Sequence, residues 1–310
     1  MPNDANTTRL RESAAEFHDL FNKARADSIF DGLVMDVDAS LGFFKPASLA
    51  LPGAPSEFGG TATVHTISSA SVSYETKVYE YTWGLDINMV TRLDKVSRGM
   101  TTELLRGIAR KWVGHEDRKL TTLLATGEST GGLNGAAIFS STAYTPNPNV
   151  TVDNVTATAV SGSADEVLSA THEAYGLFET MTGVGTDLVH SGSLNLILMY
   201  SPVGQTDERK FVYDALEPML LNDKYKFPAG TVEARANGYL GANADMWYFA
   251  KDRSPKFFVR GVEQAADFVT TAGAPDWARI INRQEVGQTS YAYECAFSGD
   301  PYGAVLANDA

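Results

Sequence analysis

Apolar side chains recur at helical spacing along one stretch longer than any other in the chain. They are Leu105, Ile108, Trp112, Leu120 and Leu123, widened by Leu104, Val113 and Leu124. Residues 94–126 contain no proline. The stripe predicts a helix of about 28 residues, roughly 42 Å long. Only Glu116 interrupts its apolar face. Asp94, Ser97 and Thr101 are candidate N-caps, and Gly127 is a natural stop. Gly99, Gly107 and Gly114 each cost about 1 kcal/mol relative to Ala, so packing rather than propensity must hold this helix. It reads as a spine with the rest built against it.

Upstream, Leu10, Ala14, Phe17, Leu20 and Phe21 share a helical face, and the pattern then loses its period in DGLVMDVDASLGFF. Phe17, Phe21 and Phe30 call for a surface, either on another chain or in the protein's own core. Pro46, Pro52 and the run PGAPSEFGG predict a flexible connection. From Thr61 to Met89 the period becomes two. Val72, Tyr74 and Val78 alternate with polar residues, then the apolar set moves by one to Tyr79, Tyr81, Trp83, Leu85, Ile87 and Met89. That shift predicts a bulge near Val78–Tyr79, or a strand that leaves one surface and joins another. Hinge and strand together suggest a two-stranded arm projecting from the body.

Beyond Gly127 a Gly/Ser/Thr-rich loop leads into a Thr/Val/Asn stretch ending at Ser161, where short exposed strands or disorder are both open. Ser163 to Glu166 form a capping box for a helix with Val167, Thr171, Ala174, Phe178 and Met181 inward, ended by Gly183. LNLILMY at 194–200 has the composition of a buried strand, and a helix around Thr206–Leu216 completes a βα unit. MWYFA at 246–250, FFVR at 257–260 and the alternating Tyr291, Tyr293, Cys295 and Phe297 are further strands. The class is α+β, without internal repeats.

With 310 residues, 44% of them hydrophobic, the chain can bury a sizeable core. No apolar run approaches the ~20 residues that span a bilayer. The N-terminal MPNDANTTRLRESAAEF lacks the apolar core of a secretory signal. The single cysteine, Cys295, excludes an internal disulfide and a multi-cysteine metal site, and points to a reducing cytoplasm. A net charge of -13 argues against a protein whose main work is gripping nucleic acid. Its distribution is more informative. Ser97 to Thr126 holds six basic residues (Arg98, Arg106, Arg110, Lys111, Arg118, Lys119) and three acids, whereas Leu120 to Glu208 holds nine acids and no Lys or Arg. Copies of the chain could therefore meet basic helix to acidic surface, an arrangement that favours encounter and register more than raw affinity.

Candidate chemistry is sparse. Gly127-Glu-Ser129-Thr-Gly131 matches a G-x-S-x-G nucleophile pattern, with Asp165, His172 and His190 downstream. Such an elbow needs a strand before the serine and a helix after it, and here a helix precedes. A serine hydrolase using Ser129 stays as one alternative. The Gly183-Val-Gly185 turn of a monomeric α/β ligand-binding module is another, although Leu188 stands where a third glycine would complete a dinucleotide fingerprint. His115-Glu116-Asp117 is not a zinc motif, because Lys119 occupies the second histidine position, and the five histidines show no ligand spacing. Asp86, Asp94, Glu103 and Glu116 could be paired carboxylates, yet helix caps and surface charges explain them equally well. Neither a catalytic residue, a cofactor nor a metal is nominated beyond Ser129.

Several stretches occur in a telling order. YTWGLDINMVTRLDK at 81–95 runs from a strand into an acidic cap and the spine, and GAAIFSSTAY at 135–144 follows the spine as a turn. LNLILMYSPVGQTDERKFV at 194–212 is strand, Ser/Pro turn and helix. GTVEARANGYLGANADMWYFAKDRSPKFFVRG at 230–261 holds a Trp-Tyr strand, an Asp-x-x-x-Pro turn and an aromatic strand, and Tyr291–Leu306 closes with SGDPYGA. This order resembles the major capsid proteins of tailed bacteriophages, the Hong Kong 97-type fold, and most closely the Mu-like major head subunit group. The sequence departs from that pattern at Ser140, Ser141 and Tyr144, where the family has acidic and histidine residues. The 145–162 insertion has no obvious counterpart.

The resemblance implies a structural protein of the virion, assembled in a bacterial host's cytoplasm into hexamers and pentamers of an icosahedral shell around double-stranded DNA. It implies an N-terminal arm (1–45), an extended β-arm (46–80), a peripheral domain with the spine (81–130 and 255–298) and an axial domain (131–254 and 299–310). The β-arm would lie over one neighbour and the N-terminal arm would reach beneath another. A separate scaffold, a maturation protease and a portal are the implied partners, with weak non-specific DNA contact, room for a decoration protein and no membrane. Phe17, Phe21, Phe30, Tyr74, Val78, Arg106, Arg110 and Lys111 are the expected inter-subunit contacts.

Overall fold

The computed structural model describes residues 3–45, 73–86, 97–129, 137–140, 152–160, 162–182, 189–190, 193–202, 208–221, 230–243, 245–253, 256–270 and 284–308. In chain order the first elements are α1 (Asn3–Ala26), β1 (Val34–Asp38), β2 (Phe43–Phe44), β3 (Tyr74–Glu75), β4 (Lys77–Asp86) and α2 (Ser97–Thr126). Then follow α3 (Ala164–Thr180), β5 (Leu194–Tyr200), α4 (Glu208–Leu221), β6 (Gly230–Ala236), β7 (Met246–Ala250), β8 (Phe258–Thr270), β9 (Gln284–Phe297) and β10 (Ala304–Ala307).

The spine is α2, 30 residues long. Leu105, Ile108, Trp112, Leu120 and Leu124 are buried along it, as the stripe requires. Of its candidate caps, Ser97 is the first helical residue, Thr101 lies inside the helix and Asp94 is outside the described residues. The helix ends at Thr126, and the Gly127 that follows has no room for a side chain: a Cβ there would come within 2.8 Å of the Phe139 ring. The Gly127 carbonyl accepts from the amide of Ile138 at 2.9 Å, turning the chain back over the helix end.

Four strands in the order β1-β8-β9-β4 form a sheet under α1 and α2. Tyr291, Tyr293, Cys295 and Phe297 alternate inward on β9, joining Phe17, Phe21, Leu105 and Trp112 in one core. A second sheet, ordered β10-β7-β5-β6, contains the predicted βα unit, with β5 and β6 parallel across α4. Both faces of this sheet are covered. Leu196, Leu198, Met246 and Tyr248 pack against α3 and α4, whereas Ile197, Met199, Trp247 and Phe249 face the core that holds the spine. Strands covered on both sides read as continuous apolar runs rather than alternation, which is why LNLILMY and MWYFA look as they do. The capping box of α3 forms, with Ser163 accepting from the Glu166 amide and Glu166 from the Ser163 amide. That helix ends at Met181, short of the Gly183 stop read from sequence, because Met181 turns extended and takes an amide bond from Val189. Its predicted inward residues are all buried.

Three expectations need correction. The Val34–Asp38 stretch, read as aperiodic, is the edge strand β1, parallel to β8. No bulge occurs at Val78–Tyr79: β4 pairs with β9 in unbroken register from Lys77↔Tyr293 to Asp86↔Gln284. The partner exchange falls earlier, at Thr76, between β3 (paired with β2) and β4, while the register irregularities lie on β8 around Val262–Asp267. Residues 152–160 are mostly covered and held in place, with Asp153 and Ala157 exposed. Val152 and Val160 are buried, and Asn154 donates to the carbonyls of Ile138 and Pro301 and accepts from the Ser140 amide, lashing this segment beside β10. The 46–72 portion of the expected β-arm lies outside the described residues.

Two glycines are set by contact. Gly230 has φ 152°, and any Cβ would sit 1.5 Å from the Leu194 carbonyl oxygen. A Cβ on Gly261 would lie 2.0 Å from the Phe44 ring, which stacks on Tyr74 and closes a small third cluster with Val259 and Ala296. Gly261→Ala is therefore expected to cost about 1–3 kcal/mol in urea unfolding. Combined with Phe44→Ala it should cost clearly less than the two singles together, and strict additivity would rule out the clash.

Candidate functional site

The one residue that interrupts the spine's apolar face is the centre of a buried charge cluster. Glu116 is 2% exposed. Arg25 from α1 donates to its Oε1 at 2.9 Å, and Arg260 from β8 donates to its Oε2 at 2.5 Å. Arg260 also holds Asp36 of β1 at 2.6–2.7 Å, and Arg25 lies 3.6 Å from the same carboxylate. The Arg25 guanidinium stacks over Phe21 at 4.5 Å and donates to the Tyr291 hydroxyl. Its Nε is buried and has no acceptor among the described residues. Removing one partner from such a cluster strands a charge in a poorly solvated place, which is what makes it costly.

At the next residue, Asp117 accepts from the Ser28 hydroxyl at 2.6 Å. Burial pushes this carboxyl up to about 6, helped by neighbouring Glu116 and opposed by the Ser28 bond and Arg260. The spine then runs beside β9 through a series of polar contacts. Trp112 Nε1 donates to Thr289 at 2.8 Å, His115 Nδ1 lies 2.5 Å from the Tyr293 hydroxyl, and Lys119 pairs with Glu294 beneath the rings of Tyr79 and Tyr293. Burial, then Lys119 and Arg118, hold His115 below the usual imidazole range. Burial also pushes the Cys295 thiol up to about 12, so it is an inert core side chain and not a nucleophile.

The opposite face of the spine is polar and open. Arg110 and Lys111 are exposed, and neither forms an ion pair among the described residues. Arg106 pairs with Glu103 one turn back, and Arg118 lies over the Tyr239 ring at 5.5 Å. Val78 is 62% exposed on β4, and Leu41 and Phe43 are also exposed, whereas Tyr74 is half-buried on Phe44. Of the two readings open for the N-terminal phenylalanines, the structure shows the second. Phe17, Phe21 and Phe30 fill the chain's own core, because Phe17 and Phe21 share the helical face turned to the spine and Phe30 packs edge-on against Phe258.

The hydrolase constellation is not assembled. Ser129 follows a helix, and its hydroxyl donates to the Thr126 carbonyl at 3.1 Å as part of the turn that ends α2. His190 is half-buried against Tyr302 and Phe178, and its partial burial with nearby Arg253 holds it down at about 4. His172 sits on an exposed position of α3. Gly183–Gly185 falls outside the described residues. Among the described residues, no group of three or more His, Cys, Asp or Glu could hold a metal ion. The partners of Glu116 could not be found from sequence, since Arg25 and Arg260 are 91 and 144 residues away. The only local signal was an acid at a core position.

No protein-family model and no curated protein matches the sequence. Solved structures do. The chain is similar to the procapsid of bacteriophage JBD30 (14% identity, TM-score 0.53), over 99% of this chain and 76% of that one. It is similar to the virus-like particle from Pyrococcus furiosus (13%, 0.51; 96% and 98%) and to the mature capsid of bacteriophage PhiM1 (11%, 0.54; 90% and 86%). The likeness establishes that the chain has the fold these capsid proteins share.

Replacing Glu116 by Ala should destabilise the chain by about 3–5 kcal/mol, because both guanidiniums lose their buried partner. Urea denaturation measures this, and a loss under 1 kcal/mol would contradict the central place given to the cluster.

Proposed function

We propose that this chain is a structural subunit of a phage-type capsid shell. The observation carrying that reading is similarity to capsid proteins over 90–99% of the chain and 76–98% of theirs, with the same fold. The finer reading follows the resemblance in the sequence: a Hong Kong 97-type subunit of the Mu-like group, forming hexamers and pentamers around double-stranded DNA. The sheet with α1 and α2 would serve as the peripheral domain, and the sheet with α3 and α4 as the axial domain. A scaffold, a maturation protease and a portal would act with it.

The physical state of the surface supports self-association. Among the described residues, Arg110 and Lys111 have no ion-pair partner, and Arg106 pairs with an exposed Glu103 at short sequence range. Exposed pairs of that kind contribute little to folding, so these cations are available to steer an acidic neighbour. Val78, Leu41 and Phe43 add exposed apolar area.

Purified protein at high concentration should give shells, rings or tubes by negative-stain microscopy, and a strictly monomeric particle under all assembly conditions would defeat the proposal. The double charge reversal Arg110→Glu with Lys111→Glu should leave the melting temperature within a few degrees while sharply lowering assembly yield. Wild-type yield from that variant would remove the spine's basic face from the interface.

A further inference from the structure

Where the N-terminal helix lies on the spine, two buried carboxylates stand side by side on the spine helix, and the guanidiniums of Arg25 and Arg260 are bonded to the first of them. Glu116 takes both Arg25 and Arg260. Asp36 takes Arg260 through two nitrogens and is half open to water. Asp117, only 7% exposed, has the Ser28 hydroxyl and, among the described residues, no guanidinium bonded to it. The charged and polar groups that act on it are Glu116 on its own helix, Ser28 on the N-terminal segment and Arg260 on β8. Arg25 and Asp36 are linked to it through Glu116 and Arg260. Arg235 of β6 holds the far side of the Ser28 turn through the carbonyls of Ile29 and Asp31.

We propose that docking of the N-terminal helix on the spine is proton-linked, with a proton on Asp117 tightening the contact and its loss loosening it. The proton removes a buried charge to which, among the described residues, no guanidinium is bonded, and the Ser28 hydroxyl can bond either form of the carboxyl. Undocking takes Ser28 and Arg25 away together and opens Asp117 to water. This inference stands independently of the capsid reading.

The sign follows from the two states. Docked, Asp117 gives up its proton at about 6, and opened to water it does so at the ordinary value of 3.8. Docking therefore retains a proton between those values, so the contact weakens as pH rises from about 4 to about 6 and is level above that. One proton gives at most a tenfold change per pH unit, about 100-fold across the window. Asparagine cannot ionise, so Asp117→Asn provides the reference in which every other carboxylate still titrates.

Hydrogen exchange of residues 14–33 in the full chain, corrected for intrinsic rates, reads the opening equilibrium. The ratio of wild-type to Asp117→Asn opening should climb towards 100-fold between pH 4 and pH 6 and then level off. A ratio independent of pH overturns the proposal. Ser28→Ala covers the case in which the asparagine variant fails to fold. Losing a hydrogen bond that favours the ionised form should move the wild-type transition to higher pH, and an unmoved transition also overturns it.

Discussion

A carboxylate excluded from water must be matched, and matching Glu116 fixes the arrangement of most of the first sheet. Its two arginines come from α1 and β8, and those arginines in turn hold β1 through Asp36 and touch β9 through Tyr291. Four elements far apart in sequence are thus brought to one point on the spine. Apolar burial supplies the larger share of the energy but tolerates sliding, because one leucine contact substitutes for another. Ion pairs at fixed geometry do not slide. The cluster is best understood as setting register between helix and sheet, while Phe17, Phe21, Trp112 and Tyr291 supply the attraction.

The second sheet plays a different part. Covered on both faces, it belongs to two cores at once, with alternate residues of β5, β7 and β10 facing the spine on one side and α3 with α4 on the other. Disturbance of one face is felt by the other, so the two halves of the molecule share a wall instead of a linker. The Asn154 hydrogen bonds and the Arg253–Asp300 pair, both almost wholly buried, secure the ends of that wall around the Pro301–Gly303 turn.

Features written locally were legible in the sequence. The spine stripe, the α3 capping box and the buried strands LNLILMY and MWYFA depend on neighbours within a few residues. Their order along the chain carried the likeness to capsid proteins, and the fold comparison bears out that likeness. Features that depend on distant partners were not legible. Glu116 looked like a flaw in an apolar face until Arg25 and Arg260 arrived beside it. VMDVD looked aperiodic because Asp36 is spent on an arginine from another strand. The shift of apolar pattern after Val78 suggested a bulge, yet the strand stays in register because Val78 itself is left outside the core.

Cys295 has a practical consequence. Its thiol is sealed on β9 among aromatic rings and held far from its reactive ionised form. Maleimide reagents near neutral pH would therefore pass it by in the folded protein. A cysteine introduced on an exposed position could be tagged singly with a fluorophore or a gold cluster, leaving the native residue in place and the interior unaltered.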